Sequence, residues 1–379
     1  MKKTLAILLA LSLMLVMLVA CGETTPATTT ADAVTTADAP ANTDAPETDA
    51  PETDDPEVTT TEAPETTEEV VELEPYTDAT VVYLATGGKG NGSSADSPVS
   101  NLAAALDCLD LTKDCTVVIC DYFMLDTTFV YTETFEGTVT ITSNYDGVDY
   151  RDAGAEFAAM ACRFVCSGEY VVRDVDFTLL GNFLFFIANH YPITIDTGVT
   201  MTSMSLDFNG SSFANAFGIL GGYQNGQPVV VGGELPPVET DADVNITVNS
   251  GINFSIGAYS RQIENAVNTG TATINIGGDA LVTRLYLTPC NKPFTSGNVI
   301  VNVTDNANVT NIYGATSVGT SDGATINWLG GTIGMYADVL QDTHELIATN
   351  GVHLVHTEAV KADANFATVS AEFDSVTQQ

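Results

Sequence analysis

The chain has 379 residues, 49 of them Asp or Glu against 11 Lys or Arg, for a formal net charge of −38 at pH 7. Such a balance excludes nucleic acid and anionic membrane surfaces as partners, because both are held by basic patches, and it disfavours bare polyanionic sugars. Hydrophobic residues make up 45%, and the stretch from 76 to 379 is long enough to bury a continuous core as one domain.

At the start, Lys2 and Lys3 precede an apolar run from Leu5 to Ala20 that is broken only by Ser12, the pattern of a secretory signal. The run is short for a bilayer span. It ends in Leu18-Val19-Ala20-Cys21 followed by Gly22, which resembles a bacterial lipobox. The resemblance implies that Cys21 is lipidated and becomes the mature N-terminus. The protein would then be held on the extracytoplasmic face of the cell membrane by acyl chains, with no spanning helix. Residues 23–75 carry 16 acids and no Lys or Arg among Thr, Ala and Pro. With almost nothing apolar to bury, they are expected to form a disordered, self-repelling tether spanning on the order of 40 Å. Beyond it, 33 acids face nine Lys and Arg, a net charge of −24.

Thr80 to Leu84 reads as a strand and Gly87 to Ser94 (GGKGNGSS) as a loop. A phosphate cradle does not fit this loop: the Gly-x-x-x-x-Gly-Lys-Ser/Thr spacing is missing and the next helix starts too late. Ser100 is expected to cap that short helix, with Leu102, Leu106 and Leu109 on one face. Six cysteines remain after Cys21, at 108, 115, 120, 162, 166 and 290. Export permits disulfides, but the spacing selects no pairing. No Cys-x-x-Cys pair or nearby His completes a zinc set, and buried thiols are the simpler expectation.

Two acidic clusters follow. Asp146, Asp149 and Asp152, with Arg151 among them, form a loop that offers several oxygens to a hard cation, so calcium is the one cofactor considered, although the fixed spacing of a known calcium loop is lacking. Arg173, Asp174 and Asp176 lie together in VVRDVDF and are the weak candidates for catalysis.

From Asp243 to Asp338 one pattern appears four times. Its alternating triplets are Val244/Ile246/Val248, Ala272/Ile274/Ile276, Val299/Val301/Val303 and Ala324/Ile326/Trp328, and their middle members are 28, 27 and 25 residues apart. Each triplet leads through a turn of Gly, Asn and Asp into a second apolar run such as Val282/Leu285 or Val309/Ile312. Period-two alternation is strand-like, and a fixed period of this size signals units that bury their apolar sides only against their neighbours. Turns of three to five residues into shorter strands favour a coil over a hairpin meander. The expected class is therefore all-β, with parallel strands stacked about 4.8 Å apart around a dry interior.

This pattern resembles the right-handed parallel β-helix of the pectin-lyase-like superfamily, over roughly residues 76–340. Residues 164–177 (FVCSGEYVVRDVDF) resemble its strand, turn, strand, bend, strand unit, with Asp174 at the bend. Ile195/Met201/Met204 and Phe177/Phe183/Phe186 repeat the offsets of Ile276/Val282/Leu285. The strand, Gly-Ser loop and helix before residue 110 resemble an N-terminal cap, and residues 341–379 are expected to cap the other end, with His344, His353 and His356 on the surface or in that cap. Family lyases use calcium-binding Asp with a basic residue, and family hydrolases use paired carboxylates; no hydrolase signature appears here.

Tyr259, Tyr286, Tyr313 and Tyr336 recur at intervals of 27, 27 and 23. With Leu285 and Ile312 inward, alternation turns Tyr286 and Tyr313 outward, and stacking would align all four in a column on which a sugar chain can stack. A ladder that only holds register is the simpler reading, as it is for the turn residues Asn249, Asn306 and Asn311. The expected function is a surface module that binds extracellular glycan or a partner surface. A polysaccharide lyase or glycoside hydrolase with a cleft on residues 146–208 is the alternative, and a structural wall component is the third.

Overall fold

The computed structural model describes residues 74–379, apart from 182, 204–206, 209–210, 213–215, 223–238, 252–253, 260–265, 288–293, 315–319 and 335–348. The expectations for the signal, Cys21, the tether, Cys290, Tyr336 and His344 therefore lie outside the described residues.

The repeat winds as its alternation requires. Ile246, Ile274, Val301 and Ile326 stand opposite one another in successive parallel strands, and each is fully buried. Burying one such side chain contributes about 1.5–3 kcal/mol, so a coil draws much of its stability from the coils on either side. These strands belong to a main sheet of eleven parallel strands, which begins with Val81–Leu84 and ends with Phe373–Gln378. A second sheet of eight parallel strands runs from Phe129–Val130 to Thr332–Ile333. The chain is a parallel β-helix.

The third side of the coil changes along the stack. In the early coils a four-stranded sheet (Phe123–Leu125, Phe157–Ala159, Asp176–Leu179 and Thr200–Ser203) follows the main sheet. In the late coils a different four-stranded sheet (Glu239–Thr240, Ala266–Asn268, Phe294–Ser296 and Thr320–Ser321) precedes it. The matched offsets in the early half therefore need correcting. Ile195 does align with Ile276 through Val248. Met201, however, pairs with Phe177 in the early third sheet, whereas Val282 lies in the second sheet, where its register leads back through Phe254 and Phe217 to Leu184. Phe186 is equivalent to Leu285 by the same route through Ile219 and Ile256.

Asp174 occupies the expected bend, in left-handed backbone (φ 51°), a conformation that Asp tolerates better than most residues. The first strand does not present a bare edge. Tyr83 N donates to Gly92 O (2.9 Å), and Val99 N donates to Tyr83 O (2.9 Å). A Cβ on Gly88 would lie 2.4 Å from Pro98 O, and one on Gly90 would lie 2.2 Å from Ser97. Close packing thus accounts for these loop glycines. The helix Leu102–Asp107 buries Leu102 and Leu106, and Leu109 is buried just beyond it. Its cap is Asn101, whose side chain accepts from Ala104 N (2.9 Å), rather than Ser100.

At the other end the main sheet continues through Thr349–His356 and Phe373–Gln378. The helix Phe366–Ser370 sets Phe366 against Trp328 and His356, with ring centroids 5.8 and 4.7 Å apart. His356 is buried, and His353 Nδ1 lies 2.5 Å from Ser375 Oγ. Cys108, Cys115, Cys120, Cys162 and Cys166 are free thiols; burial pushes those of Cys120 and Cys162 up to about 11 and that of Cys166 further.

Candidate functional site

Tyr286 and Tyr313 are opposite one another in the second sheet. Their rings stack with centroids 4.6 Å apart and planes 15° from parallel. Tyr259 departs from the expected column. The residue opposite Tyr286 in the preceding coil is Gly257, because the register shifts between Phe254 and Ser255. Tyr259 falls beyond that strand, only 2% exposed, and its hydroxyl donates to Gly270 O (3.0 Å) and Asn298 O (2.8 Å). It ties two coils together from inside, and burial pushes its hydroxyl pKa up. The pair that remains turns ring faces toward each other, which leaves less face for a sugar than a ring lying flat on the surface would.

The acidic loop is a small hairpin, Asn144–Tyr145 with Val148–Asp149, followed by the 3-10 turn Tyr150–Ala153. Tyr145 and Tyr150 pack edge-on against Tyr83, with centroids 6.4 and 6.2 Å away. Asp149 grips Arg151 with both oxygens, at 2.8 Å from Nε and 2.6 Å from Nη2, and the hydrogen bonds from Arg151 hold the Asp149 carboxyl below the usual carboxylate range. Arg151 also donates to Gly198 O (2.8 Å) and lies 3.7 Å from Asp174. Asp176 accepts from Thr200 Oγ1 (2.5 Å). Asp146, in left-handed backbone at the hairpin tip, and Asp152 are both exposed. Arg173 is exposed beside the bend.

The structure thus brings Asp149, Asp174 and Asp176 around Arg151, a charge that their opposite charges stabilise. It does not assemble Asp146, Asp149 and Asp152 into a ligand set. Among the described residues, no group of three or more His, Cys, Asp or Glu is arranged to hold a metal ion.

No family model, curated protein or solved structure matches this chain.

One surface escaped the sequence reading. From Ile193–Ile195 through Val244–Val248, Ala272–Ile276, Val299–Val303 and Ala324–Trp328, the outward residues of the main sheet are Thr194, Asn245, Thr247, Thr273, Asn275, Ile300, Asn302, Thr325 and Asn327. None is charged, although the body around them is strongly acidic. Asn302 Nδ2 donates to Asn275 Oδ1 (2.7 Å), and Asn327 Nδ2 donates to Asn302 Oδ1 (2.8 Å). Asn275 Nδ2 reaches Thr247 Oγ1 at 3.4 Å. The stacked asparagines are therefore these mid-strand residues. The turn residues do other work: Asn249 donates to Asp196 (3.1 Å), and Asn311 donates to Thr283 O (3.0 Å). The signal was present in the alternate positions of the triplets, which are Asn or Thr in three of the four copies, but a reading aimed at the buried side passes over it.

Where the two halves meet, Asn189 and His190 are consecutive left-handed residues (φ 57° and 68°). His190 Nδ1 lies 3.4 Å from Asn268 Nδ2, and burial pulls the imidazole down to about 4.

Proposed function

We propose that this chain is a lipid-anchored, cell-surface module, related in architecture to the pectin-lyase-like β-helices, that holds an extracellular glycan or partner surface without turning it over. The observation that carries this reading is the uncharged outward side of the five strands from Ile193–Ile195 to Ala324–Trp328, set in a body with a net charge of −24. Charged side chains are the usual occupants of a solvent-facing strand in an acidic protein. Their exclusion from nine successive outward positions removes the repulsion that would otherwise oppose contact, and leaves hydroxyls and amides that exchange hydrogen bonds with a ligand. The tether supports the same reading, since a self-repelling acidic chain lifts a binding surface away from the membrane.

The convergence of Asp149, Asp174 and Asp176 on Arg151 favours a second reading, a polysaccharide lyase or glycoside hydrolase acting beside that cluster. The two separate in one assay. The full-length protein is incubated with a panel of plant and host polysaccharides, with and without calcium. Retention without new reducing ends or unsaturated products is the expected result; product formation that disappears in Asp174→Asn and Asp176→Asn variants would replace binding with catalysis.

A further inference from the structure

On the reading that this face binds an extracellular polymer, we infer that its ligand is a neutral, hydroxyl-rich polysaccharide, gripped around Ile300. The centre of the face is built from six side chains. Ile300 stands between Thr273 and Thr325 in one outward column, and Asn275, Asn302 and Asn327 form the column beside it. All six are half-buried. Neighbouring members of a column lie about 4.8 Å apart, and the two columns are separated by two residues of strand, about 6.6 Å.

Three features of this patch select the ligand. First, the surroundings are anionic and the patch holds no cation, so a uronate, sulfate or phosphate polymer meets repulsion with nothing to offset it. Second, the amide ladder fixes which way each Asn points, because one N–H of Asn302 and of Asn327 is spent on the oxygen of the preceding residue. The second N–H and the second lone pair of each amide are left in fixed directions, a pre-ordered row of paired donors and acceptors. A sugar ring presents hydroxyls that both donate and accept, and so satisfies such a row in a way that a purely donating or purely accepting ligand does not. Third, Ile300 offers an apolar spot flanked by two hydroxyls, which suits the C–H face of a sugar whose edges are polar. The repeat of the face along the stack lets one polymer chain engage several coils together.

The test uses retention of the full-length protein on insoluble cellulose, xylan and mannan, on immobilised polygalacturonate and chondroitin sulfate, and on a collagen surface, each at low and high salt. The expected result is retention on at least one neutral polymer, equal at both salt levels because no ion pair is involved. A T273E/T325E double variant should reduce that retention about tenfold or more. These side chains point away from the core, so its thermal midpoint and circular dichroism should match the parent. Thr178→Glu, the same change on the early third sheet, should leave retention within about twofold.

Undiminished retention of T273E/T325E would overturn the assignment of the face, and retention that weakens with salt would overturn the neutral chemistry. Retention only on an acidic polymer or on collagen removes the neutral polysaccharide but leaves the broader binding reading standing. Retention on none of these surfaces removes both.

Discussion

The coils from Cys115 to Ser203 and those from Val244 to Ile333 share the main and second sheets but fill the space between them differently. In the early coils the interior is aromatic. Phe123, Phe157 and Phe177 follow one another at centroid distances of 5.0 and 4.9 Å, and Phe129, Phe164 and Phe186 at 5.0 and 5.4 Å. In the late coils it is Val, Ile and Ala, with Tyr259 and Trp328 as the large exceptions. The corners differ as well. A left-handed Asp174 turns an early coil, whereas a late coil turns at Gly278 (φ 56°), where an added Cβ would lie 2.0 Å from Asn249 O. A parallel β-helix can therefore keep its main ladder unbroken while both the filling and the third wall change. The ladder constrains only backbone spacing, and close packing can be met by different side chains.

Core truncation is the strongest way to break this comparison. Phe164→Ala removes a ring that touches Phe129, Tyr170 and Phe186 and is expected to cost about 3–5 kcal/mol, against about 0.5–1.5 kcal/mol for Ile274→Val in the late half. Urea denaturation of the full-length protein measures both; equal losses would show that the aromatic filling is no more committed than the aliphatic one.

The joint between the halves is next. The imidazole of His190 is pulled down to about 4 by burial, so between its ordinary pKa of about 6.5 and pH 4 the unfolded chain binds a proton that the folded chain refuses. Stability should fall as pH drops through that window, by at most about 3 kcal/mol. The His190→Asn variant should lose this slope, and thermal melts in steps from pH 7 to pH 4 will reveal it if the joint is as closed as the geometry indicates.

The corners give the smallest contrast. Gly278→Ala should cost about 2 kcal/mol or more, because left-handed backbone and a backbone clash coincide there. Asp174→Gly should stay within about 1 kcal/mol, since glycine adopts that conformation freely. Comparable losses at the two sites would mean that Asp174 contributes through Arg151 rather than through its backbone.

The late half was legible because its inward positions repeat one kind of side chain at one period, and the fold class followed from that alone. The early half was legible only in part. An excursion from Asn144 to Gly154 and an added strand on a third sheet break the period, so Met201 imitates the offset of Val282 while lying in a different wall. Among the candidate site residues, Tyr286 and Tyr313 stack as alternation implies, whereas Tyr259 does not. A spacing of 27 residues cannot reveal that the local register slips between Phe254 and Ser255, since that slip depends on how two coils pack.

What the chain's own residues determined is the parallel coil itself and which side chains face inward, because alternation and period are local properties that every copy states independently. Tertiary structure alone decided which tyrosine is buried, that Arg151 gathers Asp149, Asp174 and Asp176, and that Asn275, Asn302 and Asn327 form one row. Each of these depends on the register between strands 25 to 29 residues apart and on hydrogen bonds made only once the coils are stacked.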